Sequence, residues 1–184
     1  EPLYRFFSEP LKIFEKAYPY REVSVDVFQI QPVVDVILVG LGNYGSGLAE
    51  HLLDRKKSLV AVDFDPRALE KWRSRDVTVL YGDMGDPELH EELPLNKAKW
   101  VVSTVRSKEL NLALLKFLTH RKFAGKVALT ATSPEEWELY KAAGAHVVLR
   151  PFTDAAEQAA DSLTHARGVF TSNIDWPIEF HEIR

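Results

Sequence analysis

Four glycines that lie close together are the residues whose spacing points most directly to a chemistry. They fall within one eight-residue stretch, although the whole 184-residue chain has only nine glycines. Gly40, Gly42 and Gly45 form the pattern G-x-G-x-x-G, which here follows a predicted strand and opens a predicted helix. The first glycine permits a tight turn, the second lets the backbone approach a phosphate, and the third lets the helix pack on the strand. Backbone N–H groups around Asn43 and Tyr44, together with the helix dipole, would then bind an anion.

A carboxylate follows this loop at a spacing typical of nucleotide-binding folds. Asp63 lies 21 residues after Gly42, at the end of the predicted second strand. An acid at this place accepts hydrogen bonds from the ribose hydroxyls of adenosine, and it repels a 2′-phosphate. The next residue is Phe64 and not a basic one, so the sequence predicts binding of AMP, NAD or NADH in preference to NADP. Asp65 is better explained as the cap of the next helix, because Pro66 follows it.

The elements that must position these residues alternate along the chain from Asp35 onward. Short, continuously apolar strands separated by helices are typical of a parallel sheet that is covered on both faces. Right-handed crossovers then favour an α/β fold with a doubly wound, mostly parallel, six-stranded Rossmann sheet. The predicted strands are Val36–Val39, Leu59–Val62, Val77–Leu80, Trp100–Ser103, Val127–Leu129 and His146–Leu149. The predicted helices are Asn43–Asp54, Asp65 to about Arg73, a short one opened by Asp86, Lys108–His120, Ser133–Gly144 and Asp154–His165.

The composition excludes several classes of protein. Hydrophobic residues make up 46% of the chain, which is typical of a globular protein and not of a disordered one. The chain has no cysteine, so disulfides, thiolate metal sites and cysteine nucleophiles are excluded. A net charge of −4 argues against nucleic acid as the main partner. No apolar run reaches the ~18 residues that a membrane helix needs.

Three regions are predicted along the chain. Residues 1–33 form an N-terminal arm or linker, residues 34–167 form the Rossmann domain, and residues 168–184 form a tail. Residues 1–20 of the arm hold six of the 20 aromatic residues, and the arm contains a predicted short helix at Leu11–Ala17 and a predicted edge strand at Val23–Val27. The first residue is Glu1 and the single methionine is Met84, so we expect the chain to be a piece of a longer protein with a region upstream.

Three segments together resemble the RCK or KTN (TrkA-N) nucleotide-binding domains of potassium-transport regulators. They are Val36–Gly45, Val60–Pro66 and Tyr81–Leu89, and the likeness covers roughly Val34–Leu149. The third segment is the distinctive one, since a Gly-Asp-Ala-Thr-Asp-Pro-like run after the third strand is common in this family. Ser103, Thr104, Glu109 and Asn111 also fall where the family has similar residues.

The resemblance implies further contacts in the site. Asp83 and Met84 would border the adenine, and Thr104 would lie near the phosphates, where the two halves of the sheet meet. Kef-type members often carry an arginine where this chain has Asn43, and that arginine contacts the phosphate. Its replacement favours a ligand with a single phosphate, so AMP is slightly preferred to NAD.

The resemblance also implies a function and partners. The chain is most like the cytoplasmic C-terminal domain of Kef-type cation/proton antiporters. It would bind an adenine nucleotide on the cytoplasmic side of the cell membrane and gate a potassium or cation transporter in the same or an associated chain. The family implies a homodimer. The last predicted helix has a small-residue apolar face that could contribute to it, formed by Phe152, Ala155, Ala156, Ala159, Ala160 and Leu163.

Two other functions are compatible with the same motifs. An NAD-dependent oxidoreductase would use the same cofactor site, but the chain has no Tyr-x-x-x-Lys pair, and only 35 residues follow the sixth strand. No catalytic residue is therefore predicted. The nucleotide could instead be purely structural.

No metal site is predicted either. The acidic run that contains Asp83, Asp86, Glu88, His90, Glu91 and Glu92 is interpreted as a solvated helix face.

Overall fold

The computed structural model describes residues 33–75 and 77–165. Six strands form one sheet in the order β3-β2-β1-β4-β5-β6, and every neighbouring pair is parallel. This order places β1 and β4 side by side at the centre, where the chain reverses its direction of travel across the sheet. The doubly wound α/β fold predicted from the alternating pattern is confirmed.

The helices and strands follow one another in strict alternation. The strands are β1 Val34–Val39, β2 Leu59–Asp63, β3 Thr78–Tyr81, β4 Ala98–Ser103, β5 Lys126–Thr130 and β6 Val147–Leu149. The helices are α1 Asn43–Asp54, α2 Pro66–Arg73, α3 Pro87–Glu92, α4 Lys108–His120, α5 Pro134–Ala142 and α6 Pro151–His165, with a short 3-10 helix at Leu95–Lys97.

Most helix bounds agree with the sequence analysis because local caps determine them. The side chain of Asp65 accepts a hydrogen bond from the Arg67 N–H at 2.9 Å, and Asp86 does the same for Glu88 at 2.9 Å. Ser107 and Ser133 cap α4 and α5 in the same way. The prediction for the last helix was wrong at its start, since α6 begins at Pro151 and not at Asp154. Proline is well suited to the first position of a helix, because its nitrogen has no hydrogen to leave unpaired.

The core has two layers, one on each face of the sheet. Successive residues of β1 point into opposite layers: Ile37 and Val39 pack on one face, whereas Val36 and Leu38 pack on the other. Both faces exclude water, so the strands are apolar at nearly every position and not only at alternate ones. Among the described residues, the largest side chain that is completely buried is Trp72 of α2.

The chain divides into two compact units, of which the first ends at Arg150 and the second begins at Pro151. Helix α6 belongs to the second unit, and its Phe152 and Leu163 are exposed. The helix and edge strand predicted before residue 33, and the predicted tail, lie outside the described residues. No helix among residues 33–75 and 77–165 has both the length and the apolar character that crossing a membrane requires.

Candidate nucleotide site at the carboxyl ends of the strands

The glycine loop is a tight connection from β1 to α1. Gly40 has φ +90°, a value that favours glycine, and its N–H donates to the Val62 carbonyl at 2.8 Å. A Cβ on Gly45 would overlap the Gly40 carbonyl oxygen and would lie 2.7 Å from the Thr104 hydroxyl. These two glycines are therefore required by the packing of the loop itself.

Gly42 differs from its two neighbours in the motif. A Cβ built on it would meet no protein atom within 4 Å, and its φ of −59° is open to any residue. Packing within the protein therefore does not require glycine here. The open space lies directly before α1, where a phosphate would approach the backbone.

The start of α1 is also unlike the starts of the other α-helices in the first unit. Helices α2, α3, α4 and α5 each have a side-chain cap, whereas the Gly42 cap of α1 provides no side-chain hydrogen bond. Asn43 and Tyr44, the first two residues of α1, are exposed. The helix N-terminus is thus open to an external acceptor such as a phosphate oxygen.

Asp63 ends β2 beside this loop. One of its carboxylate oxygens accepts a hydrogen bond from the Leu41 N–H at 2.5 Å, and the other accepts from the Asp65 N–H at 2.8 Å. The carboxylate is thus held at the glycine loop by its own backbone partners. A carboxylate has about four acceptor positions, so these two bonds leave capacity for ribose hydroxyls.

Thr104 joins the glycine loop to the neighbouring strand. It follows β4, its N–H donates to the Val39 carbonyl at 2.8 Å, and its hydroxyl donates to the Gly40 carbonyl at 2.8 Å. These bonds bring the loop after β4 against the loop after β1, at the point where the two halves of the sheet meet. The hydroxyl of Thr104 therefore has a structural partner at the base of the loop.

A cavity of about 250 Å³ opens between the ends of β1 and β2. Five of the predicted site residues line it: Gly40, Asp63, Phe64, Asp83 and Met84. Five others also line it but were missed by the sequence analysis: Val39, Val62, Gly82, Val105 and Leu110. The walls are mostly apolar and the acids lie among them, which suits a flat apolar base attached to a polar sugar.

The remaining predicted residues do not line this cavity. Gly42, Asn43, Tyr44, Gly45 and Thr104 belong instead to the glycine loop and its supports. A signal for the missed residues does exist in the sequence. Val39 and Val62 are the apolar residues that precede the motif glycine and the motif acid, and Leu110 lies in the first turn of the helix after β4.

Two hydrogen bonds stabilise the turn that contains Asp83 and Met84. Asp83 accepts a hydrogen bond from the Gly85 N–H at 2.8 Å, and the Nε2 of His90 lies 3.0 Å from the Met84 carbonyl oxygen. Because a carbonyl can only accept, Nε2 carries the hydrogen in this contact. His90 is buried, and its ring centre lies 4.5 Å from that of Phe117.

The interpretation of the acidic run as a solvated helix face is therefore wrong for His90, because the side chain of this residue points inward. A second cavity, of about 420 Å³, is lined by Tyr81, Asp83, Asp86, Glu88 and Glu92 among others. Within the described residues, however, no three histidine or carboxylate groups are placed so as to hold a metal ion.

A buried polar network supports the loop after β4. The hydroxyl of Ser103 donates to Oδ1 of Asn111 at 2.7 Å, and Nδ2 of Asn111 donates to the Val105 carbonyl at 2.9 Å. The hydroxyl of Thr130 donates to the Ser103 carbonyl at 2.9 Å. Tyr140 lies 3.4 Å from Asn111, and burial raises the pKa of its phenol. The network holds Val105, one wall of the cavity, against α4 and β5.

This geometry defines a class of protein, a doubly wound α/β domain with a candidate ligand site at the carboxyl ends of its strands. The profile of the TrkA-N domain family matches residues 36–151. The chain belongs to this family.

One relative and two solved structures give the setting of the family. The chain is 32% identical over 79 residues to the glutathione-regulated potassium-efflux system protein KefC of Escherichia fergusonii, and the match covers 43% of this chain but only 13% of KefC. The TrkA-N domain of the inner membrane protein YbaL of Escherichia coli superposes with a TM-score of 0.63 at 23% identity, over 71% of this chain and 97% of that one. The Kef C-terminal domain of Shewanella denitrificans, in its AMP-bound form, gives a TM-score of 0.61 at 20% identity, over 75% of this chain and 82% of that one. At these identities the two structures establish the fold alone.

Proposed function

We propose that this domain binds an adenine nucleotide at the carboxyl ends of β1 and β2, with AMP or NAD(H) as the ligand. The observation that carries the proposal is the position of Asp63. Its carboxylate is held at the glycine loop by the Leu41 N–H, and it also lines the mostly apolar cavity. An acceptor for the ribose hydroxyls, an apolar cavity for the adenine and open space for a phosphate would thus lie next to one another.

Each part of the ligand has a matching part of the site. The adenine would enter the cavity between Val39, Val62 and Met84, with the exposed ring of Phe64 at its mouth. The ribose hydroxyls would donate to Asp63 in charge-assisted hydrogen bonds. The phosphate would lie over Gly42 and accept from N–H groups at the start of α1.

The glycine loop favours a ligand with little negative charge. The first turn of α1 contains no basic residue, so a phosphate there would be held by backbone groups and the helix dipole alone. A single phosphate needs fewer donors than a diphosphate. We therefore rank AMP slightly above NAD and NADH, and all three above NADP.

The role we propose for the bound nucleotide is regulatory. The family match, and KefC as a relative that takes part in potassium efflux, support a domain that gates a potassium or cation transporter from the cytoplasmic side of the membrane. We propose that the domain of residues 34–167 pairs with a second copy of itself as a homodimer. Residues 1–33 would join each copy to a membrane part of the same or an associated chain. Such a domain would transmit ligand state and would perform no reaction.

The cavity itself supports a binding role over an oxidoreductase. Its described lining includes no histidine, lysine or tyrosine that could pass a proton to a substrate beside a nicotinamide. Mixing the chain with NADH and candidate carbonyl substrates tests this directly. A steady loss of nicotinamide absorbance that depends on the protein would contradict the regulatory proposal.

Calorimetric titration of the 184-residue chain with AMP tests the site. Gly42→Val is expected to abolish binding while the circular dichroism and melting temperature stay unchanged, because the new side chain meets only the space reserved for phosphate. Gly47→Val is the matched control. It lies in the same helix, also meets no protein atom within 4 Å, and is expected to keep its affinity. Unchanged affinity in Gly42→Val would show that the loop is not the phosphate site.

A further inference from the structure

The two ends of the sheet in the first unit differ in charge. At the carboxyl end, the five loops that lead into α1–α5 carry three acids and one base, which are Asp65, Asp83, Asp86 and Arg106. At the amino end, the five loops that lead from these helices into β2–β6 carry one acid, Asp76, and seven bases. The seven bases are Arg55, Lys56, Lys57, Arg75, Lys97, Arg121 and Lys122. We call this basic set the amino-end face.

Two lysines of the amino-end face adopt a backbone conformation that favours glycine. Lys56 has φ +56° and Lys122 has φ +51°, each just after the end of a helix. The equivalent position after α5 is Gly144, with φ +100°. A left-handed backbone is unfavourable for a side chain such as lysine, so the charge is present at two positions where glycine would be less strained. Backbone strain of this kind points to a use for the side chain.

A groove of about 580 Å³ runs along the same face at the starts of β4 and β5. Lys99, Lys122 and Lys126 line it together with two aromatic rings, Trp100 and Phe123. The ammonium of Lys126 lies 5.5 Å from the centre of the Trp100 ring. Half-buried aromatic rings beside lysines are the combination found where proteins contact the headgroup region of a membrane.

Some of the charge on this face is already paired. Lys99 forms an ion pair with Asp35 at 2.7 Å, Arg75 pairs with Glu50 at 3.1 Å, and Arg121 pairs with Glu91. Bases that follow a helix also complement its dipole. Neither role requires the strained backbone at Lys56 and Lys122, and both of these side chains are exposed.

We propose that the amino-end face docks against an anionic phospholipid surface. The chain has a net charge of −4, so only a local concentration of bases can attract it to such a surface. Residue 33 enters β1 at this same end. The proposal rests on the membrane-associated function proposed above, but it uses none of the residues of the nucleotide site.

Flotation of the 184-residue chain with lipid vesicles tests the proposal. Binding is expected with vesicles of equal parts phosphatidylglycerol and phosphatidylcholine, and not with phosphatidylcholine alone. Added salt is expected to release the protein, because the attraction is between exposed charges. Absence of binding to the anionic vesicles, or equal binding to both, would overturn it. If the chain does not bind the anionic vesicles but does bind an acidic protein, the amino-end face is a protein-binding surface and the lipid proposal is wrong.

The variant Lys56→Gly/Lys122→Gly separates docking from folding. Glycine is unstrained at both positions, so the melting temperature is expected to stay or rise while vesicle affinity falls roughly fivefold for each lysine removed. Lys56→Arg/Lys122→Arg keeps the charge and is expected to keep binding. Arg67→Gln/Lys108→Gln removes two charges from the carboxyl end and is the control for net charge. An equal loss in that control would contradict the proposal.

A nucleotide titration distinguishes this proposal from the previous one. Lys56→Gly/Lys122→Gly is expected to bind AMP as the unaltered chain does when no vesicles are present. If AMP binding fails in the unaltered chain while vesicle binding persists, the proposed function is wrong and the docking face stands. If AMP binds and vesicles do not, only the docking face is wrong.

Discussion

The two ends of the sheet present different groups for the two binding roles that we propose. At the carboxyl end the glycine loop exposes backbone N–H groups, and an open position at Gly42 leaves space for a ligand. At the amino end the groups that we propose for recognition are charged side chains, such as those of Lys56 and Lys122, which are exposed. A small anionic ligand needs donors at fixed positions, whereas an extended surface needs only charge density.

The largest effect is expected inside the glycine loop. Gly45→Ala places a methyl group on the Gly40 carbonyl and against the Thr104 hydroxyl, so we expect the free energy of unfolding to fall by about 3 kcal/mol. Chemical denaturation of this variant and of Gly47→Ala measures it. A methyl group at position 47 meets no protein atom within 4 Å, and alanine is a better helix former than glycine. The Gly47→Ala variant is therefore expected to be as stable as the unaltered chain or more stable. Equal stability of the two variants would remove the structural role given to Gly45.

The next effect concerns the turn at Met84. His90→Leu removes the donor to the Met84 carbonyl, and a buried carbonyl without a partner costs about 1–3 kcal/mol. We therefore expect lower stability and weaker AMP binding, the latter because Met84 lines the cavity. His90→Gln places a donor at a similar distance and is expected to recover part of both losses. A variant that loses stability but keeps its AMP affinity would show that the turn is not part of the ligand site.

A smaller effect is expected in the choice between nucleotides. NADP is expected to bind at least ~10-fold more weakly than NAD, about 1.4 kcal/mol, because its 2′-phosphate meets the charge of Asp63. Asp63→Asn removes that charge and keeps one acceptor for the Leu41 N–H, so it should narrow the gap. Asp63→Ala is a poorer test, since it also frees the N–H groups of Leu41 and Asp65. Equal affinities for NAD and NADP in the unaltered chain would contradict the role of Asp63.

The smallest effect lies at the amino end. Hydrogen bonds from Lys99 and from the Ser58 N–H lower the pKa of Asp35 from 3.8 to about 2. The carboxylate therefore contributes stability that is fully present above about pH 4 and is lost as the pH falls toward 2. Lys99 is mostly exposed, so the contribution is expected to stay below about 1 kcal/mol. Denaturation measured between about pH 5 and pH 2 should show that the unaltered chain loses this contribution to its free energy of unfolding, whereas Asp35→Asn shows no such loss.

The sequence indicates those residues of the cavity that belong to short local motifs. Gly40, Asp63, Phe64, Asp83 and Met84 each lie at the end of a strand or within three residues after it, and all five line the cavity. Other residues line the cavity only through contacts between segments that are far apart in the sequence. Val105 and Leu110 reach the cavity only because β4 pairs with β1, and local motifs do not indicate which side chains after β4 point into it.

The same limit applies to His90 and to the ends of the helices. A histidine in an acidic run predicts an exposed side chain, yet packing against Phe117 and the Met84 carbonyl turns this one inward. Lys56 and Lys122 belong to basic pairs that follow predicted helices, but the sequence did not indicate their left-handed backbone. The local sequence does not determine the packing of His90 or the backbone angles of the two lysines, because many different sequences are compatible with each.

The sequence alone determined the succession of elements, the fold class and the position of the glycine loop. It could do so because caps and apolar runs act over a few residues: Asp65 caps α2 through Arg67, two positions further along. Only the tertiary structure decided that Asp63 is held by the Leu41 N–H and that the loops after β1 and β4 are joined through Thr104. These contacts join residues that are 22 and 64 positions apart, and they form only after the parallel strands have paired side by side.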